Sequence, residues 1–547
     1  MPDWSNHLLL VTVAAPAFVA FGLVGSGLIQ GFLGLPPLPE VAWRVLGLVT
    51  VIATFLLAFF GIGLGFDPEA IGFQHVEYFG WSEDFGAHLL LGVDGIGLCF
   101  LVSTAGLVPL AMVSSRSEVK GSVRSWIATC LFLESGLLGA LASANLFSFI
   151  FFWGMGLVPI LLWMGRWGGP GRARAAGRIW AIESIGLMGL LYVAFLLREA
   201  SLDQLGMATL DLVRASVDAG PSLLDVRIPP AEQTVLFFVM AIALATRLPL
   251  VPLHYWLPTA HAAAPTGLSV LLATGFVQTA AIGILRFALP LFPDAATSAG
   301  PALSVLGIVA LVHASLIALV QKELKRLVAY TCVGYAGFAV FGISTLNVQG
   351  LSGAVLQLLT HGIATAALFM LIGFLAARRG TTEVTAFGGL AKPMPVCAFF
   401  FAVMAFSLVG LPLTGGFVGD LFVLLGSLET RRELSVLALT AMVVAASYLL
   451  WVQRRLFLGP VDEPANRGLI DLDRRERTIL LAMAIPIIAI GVYPNPILRR
   501  VEPAVLEILD QMARRSTPVE SEEPGGDLEL VAQDSLRDIP LPKRGAR

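Results

Sequence analysis

Apolar stretches of roughly 18–25 residues recur along nearly the whole chain, each long enough for a helix to cross the ~30 Å hydrocarbon core of a bilayer. They fall near residues 8–32, 42–65, 88–113, 124–142, 144–165, 179–198, 234–254, 267–290, 302–320, 327–347, 351–377, 395–428, 434–458 and 478–498. This spacing predicts an all-α membrane protein with about fourteen transmembrane helices. Composition agrees: 56% of the 547 residues are hydrophobic and 13% are charged, against roughly 25% charged in a soluble domain. A soluble fold of this composition would have to expose the same apolar surface that it buries. The net charge of −3 gives no reason to expect a nucleic-acid partner.

Charge placement between the spans sets an expected orientation. Most loops after odd-numbered spans are basic: Arg116, Lys120 and Arg124; Arg166, Arg172, Arg174 and Arg178; Lys322, Lys325 and Arg326; Arg378, Arg379 and Lys392; Arg454, Arg455, Arg474, Arg475 and Arg477. Loops after even-numbered spans are acidic or neutral, as with Asp67, Glu69, Glu77, Glu83 and Asp84, and with Asp203, Asp211, Asp218 and Asp225. The positive-inside rule then puts the basic loops in the cytoplasm and both termini on the other side. The bundle is expected over residues 1–508. Residues 509–547 form a polar, charged, proline-containing tail with the composition of a disordered segment.

Two spans carry breaks. Pro249 and Pro252 interrupt span seven, and Gly410, Pro412, Gly415 and Gly416 interrupt span twelve. Backbone groups freed at membrane depth are tolerated only where protein or a wet cavity satisfies them. Paired interruptions in corresponding positions predict two inverted five-helix repeats around a midplane site.

The cysteines, Cys99, Cys130, Cys332 and Cys397, are scattered through apolar sequence and form no CxxC pair. They read as small core residues rather than cluster or zinc ligands. Gly25-Ser26-Gly27 has no strand before it and reads as helix packing. The first apolar stretch is too long for a signal peptide. Ionisable residues in or at the ends of the spans are functional candidates: Glu134, Glu183, Arg247, His254, His261, Arg286, His313, Lys322, Glu323, Lys325, His361 and Asp420. Acids, bases and histidines in a row suit proton relay. Glu183 and Arg286 read as structural. His254 and His261 are seven apart, the wrong spacing for a helical metal pair, so no metal is expected.

Several motifs, in order, carry a resemblance: Gly92-Val93-Asp94-Gly95, Leu133-Glu134-Ser135-Gly136, Val251 through Pro258 followed by His261 and Ala264-Pro265-Thr266, Gln321 through Tyr330, His361-Gly362, and Gly410 through Asp420. From about residue 85 to 500 the chain resembles the antiporter-like membrane subunits of respiratory complex I, the proton-translocating NADH:quinone oxidoreductase. It is most similar to subunit M (chain 4), as Gly362 through Phe369 and Gly491-Val492-Tyr493-Pro494 indicate. The resemblance implies proton translocation coupled to electron transfer in partner subunits, which would hold NADH, FMN, iron–sulfur clusters and quinone. This chain would hold no cofactor or metal. Its expected partners are other membrane subunits in a bacterial inner membrane. The implied proton path runs through Glu134, Arg247, His254, His261, Lys322, His361 and Asp420. Other readings are a subunit of a cation/proton antiporter, a component of ion-driven inorganic-carbon uptake, and a non-conducting scaffold.

The sequence departs from the family pattern on that path. Gly154 stands at the fifth-span glutamate position, Arg247 at its lysine partner and Gln278 at the central lysine. Asp420 stands at the distal glutamate, Tyr335 at a histidine and Thr259 at an aspartate. Glycine cannot ionise, glutamine holds no transferable proton, and arginine keeps its proton. Conduction is therefore expected to be weakened or rerouted. With no acid at position 154, Arg247 is expected to spread its donors over carbonyls freed by the break.

Overall fold

The structure is a computed structural model that describes residues 7–33, 39–213, 220–461 and 464–516. The expected tail lies outside the described residues from position 517 onward.

Helices dominate. In chain order they are α1 (Leu8–Leu33), α2 (Glu40–Leu56, prolonged by a π-helical segment, Leu57–Ile62), α3 (Gly95–Ser114), α4 (Val123–Ala142), α5 (Leu146–Trp167), α6 (Arg172–Leu205) and α7 (Pro230–Ala245). Then come α8 (Trp256–Ala263), α9 (Thr266–Ala273), α10 (Gly275–Gly283), a π-helical segment (Ile284–Ala288), α11 (Leu289–Leu291), α12 (Pro293–Leu319), α13 (Leu324–Ile343) and α14 (Val348–Arg379). The last are α15 (Pro395–Val409), α16 (Gly415–Thr430), α17 (Arg432–Phe457), α18 (Pro464–Arg467), α19 (Arg474–Val492) and α20 (Asn495–Arg515).

Among the described residues, eleven helices are long and apolar enough to cross a membrane, or twelve if α19 and α20, bent by 73°, count as one. The expectation of about fourteen also counts the two interrupted spans. Their first pieces, α7 and α15, are apolar but short. Helix starts follow local chemistry: Asp94, Ser122, Asn145 and Asn347 each accept from a backbone N–H in the first turn that follows. The 32-residue α14 is about 48 Å long. Its most apolar 18-residue window is entirely buried, so α14 is packed on all sides by protein. The faces of α2, α6 and α17 instead present large apolar side chains outward, among them Val49, Trp180 and Val443.

The all-α expectation needs one correction. Residues ahead of α3 form an antiparallel hairpin, β1 (Gln74–Ser82) with β2 (Ala87–Val93), pairing Gln74 with Val93 and Tyr78 with Leu90. The expected span 88–113 had merged β2 with α3, because Leu89, Leu90 and Leu91 are as apolar as the helix that follows. The hairpin is tied in by polar contacts. Asn145 Nδ2 donates to Asp211 Oδ1 at 2.6 Å, and His88 Nδ1 lies 2.9 Å from Asp211 Oδ2. Glu77 Oε1 accepts from the N–H groups of Leu9 and Leu10 at 2.9 and 3.1 Å, capping α1 from across the fold. A second departure lies at the other end. The helix α20 runs to Arg515 rather than stopping at 508, and Arg515 donates to the Val226 carbonyl at 2.9 Å.

Candidate functional site

The first break follows Ala245. Thr246, Arg247 and Leu248 still donate to carbonyls of the last turn, after which Pro249 and Pro252 prevent the ladder from continuing. Arg247 sits at this point and is 1% exposed. Its Nε and Nη2 donate to Glu183 Oε2 at 3.1 and 2.9 Å, Nη1 to Thr279 Oγ1 at 3.3 Å, and Nη2 to the Trp153 carbonyl at 3.2 Å. The guanidinium lies 3.5 Å from the Trp153 ring centroid and 4.0 Å from that of Phe276. The expectation that Arg247 has no acid partner is therefore corrected. The acid comes from α6, one helix beyond the empty position at Gly154. The expected dispersal over carbonyls is limited to the single bond to Trp153, and the ion pair with Glu183 is the main contact.

Around this pair, Gln278 accepts from Thr104 Oγ1 at 3.1 Å and its Nε2 has no hydrogen-bond partner among the described residues. Glu134 is fully buried on α4, and neither carboxyl oxygen has a hydrogen-bond partner among the described residues. A Cβ built at Gly154 would meet Leu187 side-chain atoms at 3.7 Å, an ordinary contact, so the position accommodates a Cβ.

Between the breaks lie the histidines. His254 follows the first break, its ring 5.1 Å from His313 and 6.2 Å from Tyr330. His261, on α8, is fully buried and stacked on Phe369 at 4.3 Å, and both its ring nitrogens lack hydrogen-bond partners among the described residues. The structure brings Lys325 rather than Lys322 to this region. Lys325 Nζ donates to the Ala264 carbonyl at 2.8 Å, at the end of α8, whereas Lys322 is exposed. Nearby, Glu118 accepts from Thr266 N–H at 2.7 Å and caps α9.

The second break lies between α15 and α16. Gly410 has φ +76° and ends α15 in the left-handed region that glycine enters freely. A Cβ there would come within 2.9 Å of Asp420 Oδ2. Asp420 is 3% exposed; its Oδ1 is 3.8 Å from His361 Nε2, and neither oxygen has a hydrogen-bond partner among the described residues. A gap of that length fits a side-chain adjustment or one bridging water. Tyr335 packs on His361 at 3.9 Å between ring centroids, and its hydroxyl donates to the Leu408 carbonyl in the last turn of α15. Gln357, one turn before His361, donates to the Tyr335 carbonyl at 3.1 Å.

The structure thus joins His361, Tyr335 and Asp420 at one break and Arg247 and Gln278 near the other through Thr279 and the α10 segment. Glu134 and His261 are further buried polar groups without hydrogen-bond partners among the described residues. Sequence reasoning named Glu183 and Arg286 but read both as structural. Arg286 fits that reading: it donates to the Leu141 and Ser143 carbonyls at 2.9 and 2.7 Å and to Asp94 at 3.1 Å, closing the end of α4 onto the start of α3. Glu183 fits it too, as the buried ion-pair partner of Arg247.

Interrupted helices around a buried polar row define a multi-pass membrane protein of antiporter-like architecture. Residues 143–446 match the family described as NADH:quinone oxidoreductase/Mrp antiporter, TM, and the chain belongs to that family. It is 33% identical to NADH-quinone oxidoreductase subunit M of Rhodobacter capsulatus, over 92% of this chain and 96% of that protein. A chain in the structure of respiratory complex I from Thermus thermophilus with bound NADH superposes with a TM-score of 0.80 at 26% identity, covering 92% of this chain and 99% of that one. A chain of the membrane-bound sulfane sulfur reductase, an archaeal respiratory membrane complex, shares the fold with a TM-score of 0.75 at 22% identity, covering 93% and 98%.

Proposed function

We propose that this chain is a membrane-arm subunit of a bacterial NADH:quinone oxidoreductase-like complex and moves protons across the inner membrane. Electron transfer takes place in partner subunits, which hold NADH, FMN, iron–sulfur clusters and quinone; this chain carries no redox site. Fourteen spans result when both interrupted helices and α19 are counted, arranged as two inverted repeats with both termini outside the cytoplasm. The observation that carries the reading is the row of buried polar groups between the two breaks, from Arg247 to Asp420, in a chain 33% identical to a subunit M. Such residues in a membrane interior are expensive and mark ion paths.

The proton is taken up from the cytoplasm beside His254 and Lys325, with Lys322 at the surface, and passes His261. It leaves through His361 and Asp420. Glu134 is a side reservoir. The first break contributes a fixed, hydrogen-bonded Arg247–Glu183 pair instead of a carrier, because arginine keeps its proton. Gln278 orients Thr104 but holds no exchangeable proton. Conduction is rerouted past this point.

The test is proton uptake per NADH oxidised in sealed inverted vesicles. Asp420→Asn lowers the ratio if this chain conducts. The triple substitution Gly154→Glu, Arg247→Lys and Gln278→Lys raises it by restoring three carriers. An unchanged ratio in the first variant removes the conducting role, and no gain in the second removes the rerouting.

A further inference from the structure

We propose that a groove between α2, α3 and α4 binds one anionic phospholipid, its phosphate held by Arg44 and Arg116. The groove has a volume of about 260 Å³, close to the range of roughly 300–1,000 Å³ typical of ligand pockets. Six of its eight lining residues are apolar or aromatic, including Val45, Leu48 and Met112, and the other two are Arg44 and Arg116. Arg44 lies just inside the start of α2 and Arg116 just past the end of α3, so both cations stand at one membrane face. Neither makes an ion pair or a side-chain hydrogen bond with any described residue. The neighbouring Arg124, by contrast, donates to Gln30 at 2.9 Å and lies 5.9 Å from the Trp43 ring centroid.

Trp126, 2% exposed, closes the groove on the α4 side. A lipid phosphodiester supplies acceptor oxygens for the two guanidiniums, which are well matched to phosphate. The apolar wall formed by Val45, Leu48 and Met112 takes an acyl chain. Val45 is 55% exposed, so the groove opens sideways toward the bilayer. On the orientation proposed above this is the cytoplasmic face, where basic pockets between transmembrane helices meet anionic lipid. A free anion would leave the apolar wall uncovered. A zwitterionic lipid would carry its own ammonium to the two arginines.

The experiment is native mass spectrometry of the full-length chain, purified in detergent and titrated separately with phosphatidylglycerol, phosphatidylcholine and inorganic phosphate. The first phosphatidylglycerol is expected to bind about tenfold more tightly than phosphatidylcholine. In Arg44→Gln/Arg116→Gln that preference falls below about twofold, while Arg44→Lys/Arg116→Lys keeps most of it. If the double glutamine variant does not fold, Arg116→Gln alone, at an exposed position, gives a partial loss. Equal binding of the two lipids overturns the proposal, as does an unchanged preference in the glutamine variants. Displacement by equimolar inorganic phosphate, or cross-linking of Val45→Cys to a neighbouring subunit in intact membranes, overturns it too. None of these readouts depends on proton conduction, so this inference and the proposed function fail separately.

Discussion

Replacing Glu183 by glutamine tests the central geometric finding, that the counter-charge of Arg247 comes from α6. In the parent both partners are essentially inaccessible, with Arg247 1% and Glu183 0% exposed. Glu183→Gln preserves shape but leaves a buried guanidinium with only Thr279, the Trp153 carbonyl and two aromatic faces. Breaking a buried pair by removing one member costs about 3–5 kcal/mol. The ring contacts survive the substitution and hold the cost to about 3 kcal/mol, since a desolvated cation–π contact is worth about 2 kcal/mol. Removing both charges, as in Glu183→Gln/Arg247→Met, takes away the orphaned cation. The double variant is expected within about 1 kcal/mol of the parent, because apolar replacement of a whole buried pair is often neutral. The assay is reversible unfolding of the full-length chain in mixed micelles, read as a double-mutant cycle. With Arg247→Met alone costing about 3 kcal/mol by the same argument, a coupling energy of about 5 kcal/mol is expected. Coupling below about 0.5 kcal/mol, within the scatter of independent sites, would refute the pairing.

Two further predictions concern the second break. Asp420→Asn is expected to leave stability unchanged or raise it slightly in the same unfolding assay, because neither carboxyl oxygen has a hydrogen bond to lose; a loss above about 1 kcal/mol, the usual net worth of a hydrogen bond, would mean that the carboxylate is structurally engaged. Gly410→Ala is expected to cost about 1–2 kcal/mol for its left-handed backbone, and the crowding against Asp420 should also lower proton uptake per NADH. Wild-type uptake in that variant would show that the break tolerates displacement of the acid.

Much of this architecture was legible because lipid imposes length on sequence. The spans at Val123–Ala142 and Val348–Arg379 stand out as apolar windows bounded by polar loops, and the two breaks were visible as proline and glycine inside such windows. The hairpin was not visible, since Ala87–Val93 is apolar and runs directly into α3 with only Asp94 between. The pairing of Glu183 with Arg247 could not be read either. It depends on how α6 crosses α7, and residues 64 positions apart carry no local signal of contact. Motif reading found His361 and Asp420 as separate residues, but their 3.8 Å approach belongs to the packing of α14 against α16. Lys325 lies three positions beyond Lys322 in the same motif, and only the fold distinguishes the inward side chain from the outward one.

The cap that Glu77 places on α1 couples two pieces of chain made at different moments. Helix α1 leaves the ribosome before β1, and its opening amide groups at Leu9 and Leu10 stay unmated until β1 has been translated and has folded back. The start of the chain is thus anchored only after the second span is in the bilayer. A nascent chain that has exposed α1 but not yet β1 holds an inserted but unfastened first helix.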